Sequence, residues 1–518
     1  MRIVINAGTG ENKTIREALR EQGLGMDYVC GGNGKCGKCT IRIISGHVPV
    51  TVADQAFFSD EELGQGYRLA CQMQVTEDIE IEVADNLLYQ KGEQAGIQVA
   101  DLYPQEEKTD QSLSTKSAYG IAIDLGTTTI GFALVDLATG QVESSLSRMN
   151  SQRIYGADVL SRIQSANEGQ GDDLRRCAES DLSRGIKDLC KDRKQVSEIR
   201  HIVIAGNTTM CHLLQGYSCQ TLGQAPFQPV STKQEDFVQN GIAVTILPGA
   251  SAFVGGDIIS GIYGIKEHMD ATDEPWMLLD FGTNGEMVLW TGERFFATAA
   301  AAGPAFEGGN ISCGCASIPG AISSLMIVGR NSHTKTIGGL PAIGICGSGL
   351  LEAVSGMKKA GIVDENGTFA ADIPEEGFVL NTPGSQGKIS LTQEDIRQFQ
   401  MAKAAIAVGQ MTLLKEAGMV ASQVKKVYLA GGMGSFLNAR AAVETGLLHK
   451  DLLPVAKAGG NTSLQGAVSY LKNAGKKQKA EKDKLKEITE NMQVLMLADM
   501  PGFADAYISH MALTEFMA

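Results

Sequence analysis

Four cysteines near the N-terminus have the residue type and spacing to hold an iron-sulfur cluster. Successive cysteines are separated by five, two and thirty-one residues in the segments CGGNGKCGKC and RLACQM: Cys30, Cys36, Cys39 and Cys71. Thiolates ligate iron, and the glycines of the first segment let the backbone wrap closely and direct amide groups at the sulfurs. The pattern predicts a 2Fe-2S centre. A structural zinc site is the alternative, although its ligands usually form two separated pairs.

Two copies of a second pattern could bind a polyphosphate with its metal ion. In IAIDLGTTT a predicted strand ends at Asp124 and turns into three hydroxyl residues, and LLDFGTN repeats this arrangement around Asp280. Carboxylates suit hydrated Mg²⁺, and hydroxyl and backbone amide groups suit phosphate. We expect the two copies to face each other around one polyphosphate. The candidate phosphate-binding residues are Gly126, Thr127, Thr128, Thr129, Gly282, Thr283 and Asn284.

A glycine-rich turn could complete a nucleotide site. In YLAGGMGSF, Gly431, Gly432 and Gly434 follow a predicted strand and would let the backbone approach an adenine or a ribose. Asp257, in FVGGDIISGIYG, lies twenty-three residues before Asp280. We predict that Asp257 is a secondary metal-binding or water-positioning group, and a helix cap is the alternative.

The elements that must position the cysteines form a small α+β unit. The sequence patterns predict strands at residues 2–7, Thr40–Ile44 and Ile79–Val83, and a helix at Thr14–Gln22. We assign residues 1–86 to this unit. Residues 87–117 are polar and predict a flexible linker.

The elements that position the polyphosphate pattern belong to a larger unit. Its strand, glycine turn, strand and helix occur twice between residues 118 and 474, which predicts a duplicated α/β fold. Residues 475–518 begin with alternating charges, which are typical of a solvated helix face, and we expect a helix and tail that pack on this fold.

The composition narrows the class of protein. The 518 residues are 43% hydrophobic and 20% charged, as in ordinary globular proteins, and the formal net charge of −14 argues against a nucleic-acid partner. No apolar run is long enough to span a membrane, and eleven cysteines without a secretory segment indicate a reducing cytoplasm. Among the other cysteines only Cys313 and Cys315 are close together, and small buried hydrophobes are their simplest interpretation.

The three nucleotide patterns together resemble the phosphate 1, phosphate 2 and adenosine motifs of the sugar kinase, actin and heat-shock chaperone (ASKHA) superfamily. This resemblance implies an RNase H-like duplicated ATPase domain with two connecting helices. One of them would carry Asp257, and the other would lie near Leu464–Leu471. It also implies that Asp124, Asp257 and Asp280 serve catalysis with ATP and Mg²⁺. The cysteine spacing is similar to that of the adrenodoxin-like branch of β-grasp 2Fe-2S ferredoxins.

The whole chain resembles the ATP-dependent reductive activators of corrinoid proteins. Further stretches similar to that family are AGNTTMCHLL, GPAFEGGNISCG, GICGSGLLEAV and GLLHKDLLP. The resemblance implies reduction of Co(II) to Co(I) in a corrinoid protein of a methyltransferase system. In this hypothesis an external low-potential donor supplies the electrons, and the flexible linker lets the cluster domain move toward the cobalt. We expect a homodimer because it is the commonest closed assembly.

Redox energetics explain why such a reaction would need ATP. Ferredoxin 2Fe-2S centres lie near about −400 mV and the cobalt couple is typically lower. A gap of ~200 mV would cost about 5 kcal/mol. Other classes of function are a redox-sensing small-molecule kinase, an activator of another low-potential enzyme such as a dehydratase, and a nucleotide-gated binding protein or metallochaperone. The sequence does not identify the corrinoid protein or the electron donor.

Overall fold

The computed structural model describes most of the chain outside the predicted linker. The described residues are 2–6, 13–15, 18–19, 22, 24–26, 34, 39–83, 88–90, 118–190, 196–268, 274–282, 284–380, 388–434 and 437–516. Cys30, Cys36, Thr283 and four residues of the predicted helix Thr14–Gln22 therefore lie outside them. Within the described part of the chain, no helix is both long and apolar enough to cross a membrane.

The N-terminal unit is built on a four-stranded antiparallel sheet. Alternation of buried and exposed residues fixes its register, because Ile3 and Ile5 pair with Ile81 and Ile79 and all four side chains enter one core. In spatial order its strands are Arg2–Ile5, Ile79–Glu82, Thr40–Ser45 and Tyr67–Leu69. Two short helices, Val52–Phe57 and Asp60–Gly64, begin at capping boxes on Thr51 and Ser59.

One boundary predicted from the sequence is wrong. Leu88–Gln90, which the sequence analysis assigned to the linker, forms a strand antiparallel to Leu24–Met26. The N-terminal unit therefore extends beyond residue 86. The polar composition of the surrounding residues concealed this three-residue strand.

The first large sheet has six strands. Strand 129–136 runs antiparallel to both of its neighbours, 119–125 and 142–149, and two later strands run parallel to 119–125. In spatial order the strands are Val142–Met149, Thr129–Asp136, Tyr119–Leu125, Ile199–Gly206, Ile242–Ile246 and Glu235–Gln239.

The second large sheet repeats this plan. Three consecutive strands are again antiparallel, and two later strands again run parallel to the first. In spatial order its strands are Ala456–Gly460, Lys426–Ala430, Trp276–Phe281, Gly285–Trp290, Phe295–Ala300 and Met492–Leu495. The shared strand order confirms the duplicated α/β architecture predicted from the two Asp-Gly-Thr patterns.

Smaller sheets and helices complete the structure. Two strand pairs are Lys13–Thr14 with Gln74–Val75, and Phe378–Leu380 with Ile389–Leu391. A three-stranded sheet has the spatial order Asn331–Thr336, Ala321–Val328 and Gly344–Ile345. The α-helices of this larger unit are Val159–Ser165, Gly171–Leu189, Thr208–Gln215, Gly256–His268, Gly347–Lys359, Gln393–Glu416, Gly431–Gly434, Ala439–Glu444, Thr462–Glu490 and Phe503–Ser509.

Two long helices lie between the large sheets. We call Gly256–His268 the first connecting helix and Thr462–Glu490 the second connecting helix. One core contains side chains of both helices and both sheets, including Ile259, Tyr470, Ala122 and Leu278. The helices approach closely because small residues face each other. A Cβ on Gly466 would lie only 1.8 Å from the carbonyl oxygen of Ser260.

The C-terminal segment is more closely integrated than the sequence analysis predicted. The helical segment Thr462–Glu490 is kinked at the non-helical residue Lys477, two residues after the predicted start of the charged helix. Met492–Leu495 then joins the second large sheet, parallel to Phe295–Ala300. The tail does pack on the ATPase-like fold, and it also contributes a strand to that fold.

Candidate functional site

The cysteine site brings its two described members together at the end of a strand pair. Thr40 pairs with Leu69, and the backbone amide of Ala70 donates to the carbonyl oxygen of Cys39 over 2.9 Å, one residue before Cys71. Cys39 is buried and Cys71 is half-buried. The structure therefore brings the two segments of the predicted ligand set to one place.

The surroundings of Cys71 fit a thiolate that ligates a cluster. The side-chain amide of Gln72 lies 3.9 Å from Sγ of Cys71, where its N–H can donate to sulfur. Gly34, from the cysteine-rich loop, packs so closely that a Cβ there would lie 3.1 Å from Cγ of Gln72. Gly34 thus lies against the segment that contains Cys71.

The first nucleotide pattern forms a hairpin with Asp124 at the end of its first strand. We call residues 119–136 the first hairpin. Both carboxylate oxygens of Asp124 accept hydrogen bonds from the start of the second connecting helix: Oδ2 from the amide of Asn461 and Oδ1 from the hydroxyl of Ser463, each over 2.7 Å. Burial raises the pKa of Asp124, and these two donors partly offset the rise.

The turn of the first hairpin is held from two directions. The Thr127 hydroxyl accepts from the amide of Asn207, and the Thr127 carbonyl accepts from the buried guanidinium of Arg162 over 2.7 Å. The Thr128 hydroxyl instead donates to Oε2 of Glu307 over 3.0 Å. Because Glu307 follows the strand Phe295–Ala300 of the second large sheet, this contact joins the two halves of the duplicated fold. Thr129 is exposed and begins the second strand of the hairpin.

The second nucleotide pattern forms an equivalent hairpin, residues 276–290, which we call the second hairpin. Asp280 pairs across it with Glu286, whose side chain is buried. Gly431 packs directly on Asp280, because a Cβ there would lie 2.4 Å from Oδ1, and the positive φ of +82° also favours glycine. Gly431 begins the short helix that also contains Gly432 and Gly434. The predicted adenosine turn therefore adjoins the second carboxylate.

The carboxylates from four segments influence one another electrostatically. Burial, and then the charges of Asp257, Asp124 and Glu307, raise the pKa of Asp280 to about 8. Burial and the charge of Asp124 raise the pKa of Asp257. Burial and the charges of Asp257 and Asp280 raise the pKa of Glu286 well above its ordinary value. A cation placed among these groups would stabilise their ionised forms.

Asp257 lies in the first turn of the first connecting helix, where its Oδ1 accepts from the backbone amide of Ile258 over 2.8 Å. A helix cap would precede Gly256 and accept from an amide two or three residues on, so this contact with the adjacent amide is not the one that the helix-cap alternative requires. The Asp257 carboxylate interacts electrostatically with Asp124, Asp280 and Glu286. We call the space between these carboxylates the cleft. Among the described residues, no group of three or more His, Cys, Asp or Glu is arranged to ligate a metal ion directly.

Sequence reasoning missed four polar residues at this site: Asn461, Ser463, Glu286 and Glu307. Glu286 could have been found, because the second hairpin pairs it with Asp280. Asn461 had the signal of an N-cap residue after a glycine pair and before a helix. Glu307 had no local signal, because only the tertiary fold brings it to Thr128.

Cys313 and Cys315 flank an isolated β-bridge, and the backbone of Cys315 packs against Gly308, the residue after Glu307. Both are half-buried, and Gly314 between them forms a bridge to Ile345. The backbone amide of Cys315 donates to the Ile345 carbonyl, and the Ile345 amide donates to the Cys313 carbonyl, each over 2.9 Å. These contacts assign a structural role to their backbone.

Comparison with known families agrees with both units. A 2Fe-2S iron-sulfur cluster binding domain matches residues 6–76, and the RACo middle region matches residues 119–270. The C-terminal domain of RACo, described as the ASKHA domain, matches residues 274–517. The fold and site therefore define a 2Fe-2S ferredoxin domain joined to an ASKHA-type ATPase fold.

Individual relatives then specify the family. The corrinoid activation enzyme RamQ of Eubacterium limosum is 30% identical over 446 residues, which cover 80% of this chain and 72% of that protein. The [Co(II) methylated amine-specific corrinoid protein] reductase of Methanosarcina barkeri is 24% identical over 76% of this chain and 77% of that protein. A solved reductive activator for corrinoid, iron-sulfur protein aligns with a TM-score of 0.70 and 28% identity, covering 98% and 97% of the two chains. The chain belongs to the family of reductive activators of corrinoid proteins.

Proposed function

We propose that this enzyme uses ATP to drive the reduction of inactive Co(II) to Co(I) in a corrinoid protein of a methyltransferase system. The observation that carries the proposal is the presence, in one chain, of the 2Fe-2S match and of a cleft where Asp124, Asp257 and Asp280 interact. The names of the related corrinoid activation enzyme and corrinoid protein reductase support it.

The cleft residues have distinct parts in this proposal. Asp124 and Asp280 would hold hydrated Mg²⁺, with Asp257 as a third carboxylate on the metal's water. Their raised pKa values support this role, because a cation would relieve the repulsion that raises them. The phosphates would be bound by the two hairpin turns: Gly126, Thr127, Thr128, Thr129, Gly282, Thr283 and Asn284. Adenosine would lie against Gly431, Gly432 and Gly434.

The four N-terminal cysteines would have the second role in the proposed function, which is electron transfer. Cys30, Cys36, Cys39 and Cys71 would ligate a 2Fe-2S cluster, which when bound supplies a one-electron donor at low potential. The packing of Gly34 on Gln72 and the amide directed at Cys71 support this assignment.

The two connecting helices offer a path from nucleotide to the rest of the enzyme. Asp257 lies on one helix, and Asn461 and Ser463 hold Asp124 from the start of the other. Nucleotide binding at these groups would change the packing of the two sheets around the helices. ATP would thereby favour one state of the complex with the corrinoid protein, through its differential affinity for the two states.

The proposal has three further parts. The electrons would come from an external low-potential donor, because no group described here is itself a source of electrons. The enzyme would act in the cytoplasm, where thiols stay reduced. It would form a homodimer, the commonest closed assembly of soluble proteins, and sedimentation would measure this directly.

The decisive experiment mixes the reduced full-length enzyme with ATP, Mg²⁺ and a Co(II) corrinoid protein, and follows the absorbance of Co(I). Wild-type enzyme should form Co(I) only when ATP is present. Asp124→Ala should form none while keeping the visible spectrum of its cluster. Asp483→Asn, on an exposed part of the second connecting helix, is the matched control and should behave as wild type. Equal Co(I) formation without ATP would contradict the proposed coupling.

A further inference from the structure

Glu307 lies at the end of a rigid turn in the stretch GPAFEGG. The turn Pro304–Glu307 begins with proline, whose ring restricts the backbone, and the backbone amide of Gly309 closes it by donating to the Pro304 carbonyl over 2.8 Å. Gly308 ends the turn with a φ of +80°. The backbone at Glu307 is therefore restrained by its own loop.

Packing beneath the turn fixes it further. Phe306 is buried and makes edge-to-face contacts with Phe281 of the second hairpin, at 6.4 Å between ring centroids, and with Phe399, at 5.8 Å. A Cβ on Gly347 would lie 2.0 Å from the Phe306 carbonyl oxygen, so this turn is in close contact with the helix that begins there. Such support is what a preorganised catalytic group requires.

The Glu307 carboxylate lies between the turns of the two hairpins. Its Oε2 accepts from the Thr128 hydroxyl of the first hairpin over 3.0 Å. Its Oε1 is 3.9 Å from the position that a Cβ on Gly282 would occupy, directly after the second hairpin's first strand. These are the two turns assigned to the phosphates. A polyphosphate bound by both turns would place its terminal phosphate next to this carboxylate.

We propose that Glu307 is the catalytic residue that orients and deprotonates the water attacking the γ-phosphate of ATP. This inference rests on the proposed function. The water oxygen forms a bond to the γ-phosphorus while the bond from that phosphorus to the β,γ-bridging oxygen breaks. The bridging oxygen keeps the bonding electrons and leaves as part of ADP. The water proton moves to the Glu307 carboxylate and then to solvent, so the products are ADP, phosphate and a proton.

The other carboxylates of the cleft are less suited to this step. Asp124 already accepts two hydrogen bonds, and Asp280 lies directly under Gly431, so both are held on the metal and adenosine sides. The Oε2 atom of Glu307 accepts from the Thr128 hydroxyl, and its Oε1 atom lies toward Gly282 of the second hairpin, where an attacking water would lie.

The test compares ATP hydrolysis and nucleotide binding in full-length variants. Glu307→Gln keeps the size of the side chain and can still accept from Thr128, but it takes up a proton poorly. We expect its kcat for hydrolysis to fall by roughly 100-fold or more, because general-base catalysis contributes on that scale. Its Kd for a non-hydrolysable Mg²⁺-ATP analogue, measured by calorimetry, should stay within about threefold of wild type.

Two further variants keep the result interpretable. Glu293→Gln, an exposed carboxylate on the turn after the second hairpin, is the matched control and should retain wild-type kcat. Thr128→Val removes the donor that orients Glu307 and should lower kcat by about tenfold while the carboxylate remains. It also provides a test if the glutamine variant fails to fold.

Each other outcome would overturn the assignment. An unchanged kcat with tighter analogue binding would make Glu307 a latch on Thr128 that ATP displaces. A loss of kcat matched by an equal loss of analogue affinity would make it a binding residue. Wild-type enzyme without any ATP hydrolysis would overturn the proposed function as well, whereas hydrolysis that survives in Glu307→Gln would overturn this inference alone.

Discussion

The amide of Asn461 donates a 2.7 Å hydrogen bond to Oδ2 of Asp124, across 337 residues of sequence. Asn461 also caps the second connecting helix by accepting from the backbone amide of Leu464. One side chain therefore links the carboxylate of the first hairpin to the start of a 29-residue helix. Any movement of Asp124 on nucleotide binding acts directly on that helix.

Ser463→Ala tests this link without disturbing the helix cap. The change removes the hydroxyl that donates to Oδ1 of Asp124, so the carboxylate loses one of its two orienting donors. A hydrogen bond to a charged group contributes about 1.5–3 kcal/mol, and we expect kcat for ATP hydrolysis to fall by roughly tenfold or more. Ser469→Ala is the control, because the Ser469 hydroxyl donates only within the helix, to the Gln465 carbonyl. Equal activity of both variants would show that Asp124 is oriented without Ser463.

The close contact of the connecting helices predicts a strong difference between two glycines of one helix. Gly466→Ala would place a Cβ 1.8 Å from the Ser260 carbonyl oxygen, whereas nothing lies within 4 Å of a Cβ on Gly475. Overpacking costs about 1–3 kcal/mol, so Gly466→Ala should lower the apparent Tm by several degrees. Gly475→Ala should hold or raise it, because alanine favours a helix by up to about 1 kcal/mol over glycine. Thermal unfolding of both variants measures this, and similar Tm values would contradict the helix contact.

The carboxylate cleft predicts that the nucleotide-free enzyme loses stability as pH rises. Burial and neighbouring carboxylates raise the pKa of Asp280 to about 8, from an ordinary value near ~3.9. Between these two pH values the folded state holds a proton that the unfolded state has released. The free energy of unfolding therefore falls as pH rises from about 4 to about 8. We expect the apparent Tm to fall over this range, and to fall less with Mg²⁺ and nucleotide present.

Asp280→Asn is the variant that isolates this effect. The amide does not ionise, so it removes the proton uptake of position 280 and lowers the repulsion on Asp257 and Glu286. Its apparent Tm should depend less on pH than that of wild type. A pH dependence as steep as that of wild type would assign the effect to other groups.

Local signals in the sequence were sufficient for the two hairpins. A buried strand, an acidic residue and a glycine turn are encoded within ten residues, so Asp124 and Asp280 could be placed at strand ends from the sequence alone. Contacts between distant segments could not be predicted from the sequence. Glu307 meets Thr128 across 179 residues, and Ser463 meets Asp124 across 339. Such contacts depend on how the two sheets pack around the connecting helices, which no short pattern records.

The domain ends show a second limit of sequence patterns. Leu88–Gln90 is too short for an alternating pattern, and its strand depends on pairing with Leu24–Met26. The strand Met492–Leu495 is similar, because its place beside Phe295–Ala300 follows from the path of the second connecting helix. Composition marked these regions as polar and charged, and only tertiary pairing gives them their structure.

Replacing one predicted cluster ligand should separate the two activities of the enzyme. Cys71→Ser exchanges a thiolate for a hydroxyl, which is a poor ligand for the iron of such a cluster. We expect loss of the visible absorbance and of most bound iron, and loss of Co(I) formation. ATP hydrolysis should persist, because the described hydrogen bonds of Asp124 and Thr128 are made to residues of the larger unit, Asn461, Ser463 and Glu307. Iron analysis, absorbance and phosphate release measure the three quantities on one preparation.

The control for that prediction is Cys177→Ser, a half-buried cysteine on the helix Gly171–Leu189 that should leave iron content unchanged. The comparison also distinguishes iron from zinc. If the wild-type protein has no visible absorbance and Cys71→Ser loses bound zinc, the four cysteines form the structural zinc site that is the alternative. A Cys71→Ser variant that keeps its full iron and absorbance would remove Cys71 from the ligand set. Because Cys39 and Cys71 flank one strand pair, we expect Cys39→Ser to give the same loss as Cys71→Ser.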